Sequence, residues 1–272
     1  MVSAFYVSEG GRFVSSELTR GPWDPGAQHA GPPAALIGRE LERCPSPVAP
    51  EAAWSVGRIT FEILRSVPIA PLTVTTEVVR PGRSVEFLSA TLADDEGPVI
   101  RASAWRLATA AVSIPAGVAS EDPTSPAHAR ARIEPPDAAG KEDFFPTGES
   151  VGYHTAMEYR FLRGRFLDPG PATVWMRMRH PLVDGEEPTP LQRVLIAADS
   201  GNGVSAALDW RRYLFINVDL TVHLHRLPAG EWVCLDAVTI AEPNGVGLAD
   251  TSLHDELGPL GRATQTLLVR ER

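Results

Sequence analysis

The second half of this sequence repeats the first, and that repetition limits the fold more than any other feature. In the first half a Gly/Pro-rich approach (GPWDPGAQHAGPP) leads into AALIGRELER. Four alternating segments follow: WSVGRITFEILR, LTVTTEVVR, SVEFLSATLAD and VIRASAWRLA. In the second half ADSGNG leads into VSAALDWRRYL, and then come FINVDLTVHLHR, WVCLDAVTIAE, GVGLADTSLHD and GRATQTLLVRE. The closing pairs can be laid together. DDEGPVIRASAWRLA and HDELGPLGRATQTLL share an acidic turn, Gly-Pro, Arg, then Ala and a small hydroxyl residue.

Each unit reads as one helix and a sheet. Pro32 and Pro33 suit a first helical turn, where a missing N–H costs nothing. Ala34, Ile37 and Leu41 then share a helix face, and Pro45 stops the helix after Cys44. The segments that follow alternate with period two and are rich in β-branched residues, as antiparallel strands are. In the second half the pattern predicts a helix over 204–214, with Asp199 ahead of it as a favoured N-cap. TAMEYRFLRG and ATVWMRMRHPL read as an extra hairpin around DPGP. Between the halves, residues 115–137 hold five prolines in 23 positions and keep no apolar period, which predicts an extended linker. The expected division is 1–112, a linker over 113–150, and 151–272. The fold class is α+β, with one central helix wrapped by an antiparallel sheet, twice. That arrangement is a double hotdog, its sheets joined edge to edge.

Composition removes several functions. The net charge is −9 and there is no basic stretch, so nucleic acid is not an expected partner. No apolar run is long enough to span a membrane. The N-terminal segment lacks a basic start and an apolar stretch, so it does not read as a signal peptide, and the cytoplasm is expected. Cys44 and Cys234 fit no metal or redox spacing and read as buried thiols.

GPWDPGAQHAGPPAALIGREL, AADSGNGVSAALDW, FINVDLTVHLHR and GRATQTLLV together resemble the thioesterase-like superfamily, in particular its acyl-CoA thioesterase II type. The resemblance spans both halves. It implies a double hotdog that hydrolyses acyl-CoA thioesters without a cofactor. It also implies a site of an Asp at the start of the second helix, a Thr on the next strand and a Gln on the last. Carried over by position, these fall on Asp199, Asn217 and Gln265; Asn217 is a departure, since it offers an amide where the family has a hydroxyl. The first-half partners read as Ala104 for Gln265 and Arg58 for Asn217, which implies one site per chain. A homodimer or larger assembly is implied by analogy.

Thioester hydrolysis needs a base for water, donors for the carbonyl oxygen and an apolar slot. Asp199 is the expected base, with Asn217 and Gln265 holding the water. Backbone N–H groups near Gly201–Gly203 or His29–Gly31 would face the carbonyl oxygen, and His29 would contact substrate. Gln265 alternates with Ala263 and Leu267, so it shares their face and needs partners if buried. The alternative is a hotdog that binds an acyl thioester without cleaving it. Two other motifs are discounted. Gly148–Gly152 fits G-x-S-x-G but lacks the strand before it and the helix after. Gly201–Ala206 fits a dinucleotide fingerprint, yet Asp219 falls mid-strand and no βα alternation follows. His223 and His225 share a face without a third ligand, so no metal is expected.

Overall fold

A computed structural model of the chain describes residues 3–119, 122, 125, 133–142, 144 and 147–272; part of the expected linker lies outside them. The first half supplies β1 (Tyr6–Glu9), β2 (Arg12–Ser15), α1 (Gly31–Arg43), β3 (Trp54–Ile63), β4 (Pro71–Arg80), β5 (Val85–Asp94) and β6 (Gly97–Ala108). The second supplies β7 (Gly140–Lys141), the short helical turn α2 (Tyr153–Ala156), β8 (Met157–Arg165) and β9 (Asp168–Met178). It continues with α3 (Pro190–Ala198), the turn α4 (Gly201–Val204), β10 (Tyr213–Asn217), β11 (Asp219–Leu224), β12 (Val233–Ala241), β13 (Val246–Asp255) and β14 (Gly258–Glu271).

All these strands join one antiparallel sheet whose seam is β3 against β11. Outward from the seam the order is β6, β5, β4, β2, β1 on one side and β14, β13, β12, β9, β8 on the other, with β10 also pairing with β14. The registers agree residue by residue. Thr60 faces Thr221 across the seam, 161 positions apart. Thr60 opposes Ser103 as Thr221 opposes Thr264. Leu88 opposes Ala104 as Ala249 opposes Gln265. Val56 opposes Arg106 as Asn217 opposes Leu267. Ala104 therefore takes the place of Gln265. The counterpart of Asn217 is Val56, not Arg58, because both strands slip one residue at that point.

The two helices lie against each other on one face of the sheet. Leu36, Ile37 and Leu41 of α1 and Leu191, Val194 and Leu195 of α3 belong to a single buried cluster with Ile59, Phe61, Leu88, Val174, Val222 and Leu235. Each such side chain contributes about 1.5–3 kcal/mol by leaving water, so the halves share one core.

The second helix departs from expectation. It is PLQRVLIAA, started by Thr189, whose Oγ1 accepts from the Gln192 N–H, with Pro190 in the first turn. Apart from α4, residues 204–212 form turns, where Asp209 accepts from the Arg211 N–H. The hairpin of β8 and β9 turns at Phe166–Leu167, and DPGP lies within β9. It is not extra: β1 and β2 hold the same place in the first half. The described strands pair antiparallel in one sheet and not in a layered parallel one, so the dinucleotide reading fails. Both cysteines are free thiols and buried. Among the described residues no helix is long and apolar enough to cross a membrane, and no group of three or more His, Cys, Asp or Glu residues could hold a metal.

Candidate active site

Asp199 follows the last residue of α3, so it ends a helix rather than starting one. The chain then turns into α4, and the carboxylate meets the N-terminus of α1 from the other half. There Ala30 has no side chain able to cap the helix. The backbone N–H groups of Ala30 and Gly31 stand near Asp199 and help hold its carboxyl down. Anions are favoured at such an end. The close approach demands glycine: a Cβ on Gly31 would strike the Ile196 carbonyl oxygen, and one on Gly201 would strike Thr251 Oγ1.

The three side chains singled out by the resemblance converge. Asn217 Nδ2 donates to Asp199 Oδ1 at 2.9 Å. Gln265 Nε2 donates to the same oxygen at 3.1 Å and to the Asp199 carbonyl oxygen, also at 3.1 Å. Gln265 Oε1 in turn accepts from the Asn202 N–H at 3.0 Å. His29 Nδ1 lies 3.1 Å from Asp199 Oδ2 and accepts from the Gly31 N–H at 3.0 Å. The His29 ring stacks on Tyr153, centroids 3.8 Å apart. The Tyr153 hydroxyl is engaged by the Ile196 carbonyl oxygen at 2.7 Å and by Ser200 Oγ at 2.9 Å.

Among the described residues, the ionisable side chain beside Asp199 is His29, which burial keeps neutral. Burial pushes the Asp199 carboxyl up, the bonds from Asn217, Gln265, Ala30 and Gly31 pull it back, and it settles at about 7. Burial pushes His29 down to about 3. A carboxyl at that value exchanges its proton near neutral pH.

Asp199, Asn217, His29 and Gly203 line a cavity of about 570 Å³ at the junction of the halves. Phe144, Tyr159, Phe166 and Val204 form an apolar wall, and Trp23, Trp210 and Phe215 another part of the lining. Gln265, Gly31 and Gly201 do not line it; they stand behind the carboxylate and hold it in place. The Asn202 and Gly31 N–H groups are already spent within the protein. Of the glycines expected to face a carbonyl oxygen, that leaves Gly203, which has open space where a Cβ would point. Tyr153 and Asn202 escaped the sequence reading. Tyr153 sits in a segment that alternates like a strand, and only the fold brings it to His29.

The acyl-CoA thioesterase N-terminal domain family matches residues 19–107, and the acyl-CoA thioesterase C-terminal domain family matches residues 130–269. No curated protein sequence matches the chain. Solved structures share the fold. A proposed thioesterase II from Thermobifida fusca is 19% identical with a TM-score of 0.70, over 97% of this chain and 95% of that one. A hot dog fold protein of unknown function from Alicyclobacillus acidocaldarius is 16% identical with a TM-score of 0.68, over 98% and 95%. An acyl-CoA thioesterase II from Mycobacterium marinum is 15% identical with a TM-score of 0.62, over 91% of each chain.

Proposed function

Because the chain belongs to the acyl-CoA thioesterase family and is a thioester hydrolase, we propose that Asp199 activates the water that cleaves an acyl-CoA-type thioester. A water in the cavity gives its proton to Asp199 as its oxygen attacks the carbonyl carbon. Asn217 lines the cavity beside the carboxylate and orients the water. Gln265 is a positioning residue, since both ends of its amide are already bonded around Asp199. Gly203 faces the developing oxyanion. When the tetrahedral intermediate collapses, the carbon–sulfur bond breaks and the proton held by Asp199 passes to the thiolate. The products are the free acid and the thiol.

The observation that carries this reading is a buried carboxylate that lines a cavity with apolar walls and is held by two side-chain amides, with no charged partner among the described residues; its burial raises the carboxyl to about 7. Its test is release of free thiol from a panel of acyl-CoAs, abolished in Asp199→Ala. The amide at position 217 favours a second reading, a protein that binds acyl thioesters without cleaving them. Saturable binding with no thiol release would establish that one.

The matched registers and paired helices support a double hotdog, with repeats over 1–112 and 151–272 joined by 113–150. Ile240, Val246, Leu248 and Leu268 lie on adjacent strands and are exposed. Such a patch supports assembly of two or more copies.

A further inference from the structure

The two ends of the cavity differ in burial, and Asp199 stands between them, bonded to Asn217 on one side and against His29 on the other. From Asn217, β10 runs back to Tyr213, and all five of its residues line the cavity, followed by Trp210, Trp23 and Arg272. That end is open: Trp23 is 52% exposed, and Arg272 is exposed as well. On the His29 side the lining passes to the stacked Tyr153 and then to Phe144, Tyr159, Phe166 and Val204. This end is closed: Tyr159 is 3% exposed, Phe166 7% and Val204 2%. Phe166 sits at the turn between β8 and β9. Its ring is held by those of Phe144, Phe161 and Tyr159, with centroids at 4.3, 4.9 and 5.0 Å. A ring packed against three others yields little, so it acts as a fixed stop.

An acyl chain gains by leaving water, whereas the carrier of an acyl-CoA-type thioester ends in phosphates that lose by it. We propose that the acyl chain lies in the closed end with its tip against Phe166, which sets the longest chain accepted, and that the thiol carrier leaves along β10. This rests on the proposed cleavage at Asp199 and adds the direction of the substrate and the residue that measures it.

The test is a ladder of straight-chain acyl-CoAs of increasing length. In the wild type each added methylene raises kcat/KM about fourfold up to one length, beyond which kcat/KM falls. Phe166→Ala moves that optimum to chains about two to four carbons longer. Phe166→Leu moves it the same way by about one carbon, and Phe166→Trp moves it to shorter chains. Trp210→Ala leaves the optimum in place. Melting temperatures check folding, and Phe166→Leu carries the test where alanine unfolds the hairpin. A purely structural Phe166 would lower the rate at every length without moving the optimum, and that result overturns the inference. So does a wild type with no optimum, or an optimum that Trp210→Ala moves and the Phe166 variants do not. If no acyl-CoA is cleaved at all, the hydrolase reading fails on its own, and the same ladder is read by calorimetric Kd. A tightest-binding length that shifts in the Phe166 variants then supports the inference, and an unmoved one overturns it.

Discussion

Just past α1, the carbonyl of Cys44 accepts from Arg106 Nη1 at 2.7 Å, and Arg106 Nε donates to Glu86 at 2.8 Å. Ser46 Oγ closes the group on Glu86 at 2.7 Å. Just past α3, the corresponding place holds Asp199, and the positions matched to Glu86 and Arg106 are Gly247 and Leu267. The strand register matches at these positions, and the electrostatics differ. Burial pushes Glu86 up, but Ser46 and Arg106 outweigh it and hold the carboxyl below its ordinary range. Asp199 receives only amides, backbone N–H groups and a neutral imidazole, and rises to about 7. A paired charge is locked into structure, whereas an unpaired one is left ready to take a proton.

The sharpest break in this comparison is Asp199→Asn. Thiol release should fall about 10³-fold, measured at saturating acyl-CoA. The same change should stabilise the fold at alkaline pH. A raised carboxyl contributes stability that is complete below its unfolded pKa and is lost as pH rises through about 7. Above that pH the wild type should trail Asp199→Asn by on the order of 2–4 kcal/mol, and the two should converge in acid.

The mirror experiment is Arg106→Met. It strands the Glu86 carboxylate in the core and should cost about 3–5 kcal/mol in denaturant unfolding. The turnover per folded molecule should be kept. For Glu86 the pH dependence runs the other way, since its lowered carboxyl loses stability as pH falls through its folded value.

Gln265→Leu should reduce kcat by about 10–100-fold with little change in KM, because it frees the carboxylate to move without removing it. The smallest effect belongs to Asn217→Thr. It restores a hydroxyl beside Asp199 and should change kcat by only about two- to fivefold, in the direction that tells whether the amide or the hydroxyl orients water better.

The sequence alone displayed α1, β3 to β6, the β8–β9 hairpin and β12 to β14, because alternation and Pro32–Pro33 are local signals, but it read β10 and β11 as one strand and gave no strand over β1 or β2. It misplaced α3 because VLIAA is apolar throughout and a short apolar run does not distinguish helix from strand. Thr189–Pro190 was the available signal for that helix start. The trio of Asp199, Asn217 and Gln265 came from resemblance, and its convergence is geometric. Long-range contacts were not readable: that Asp199 caps the other half's helix, that His29 lies against it, or that Tyr153 stacks on His29. Residues from both halves meet there only after the sheet closes at Thr60 and Thr221.

The most direct test of Asp199 as the base is the pH profile of kcat/KM for thiol release, in the wild type and in Asp199→Asn. The wild type should rise to a plateau with an apparent pKa near 7, and the variant should be flat and about 10³-fold lower. Wild-type rates in Asp199→Asn, or a limb at the ordinary carboxylate value near 4, would contradict it.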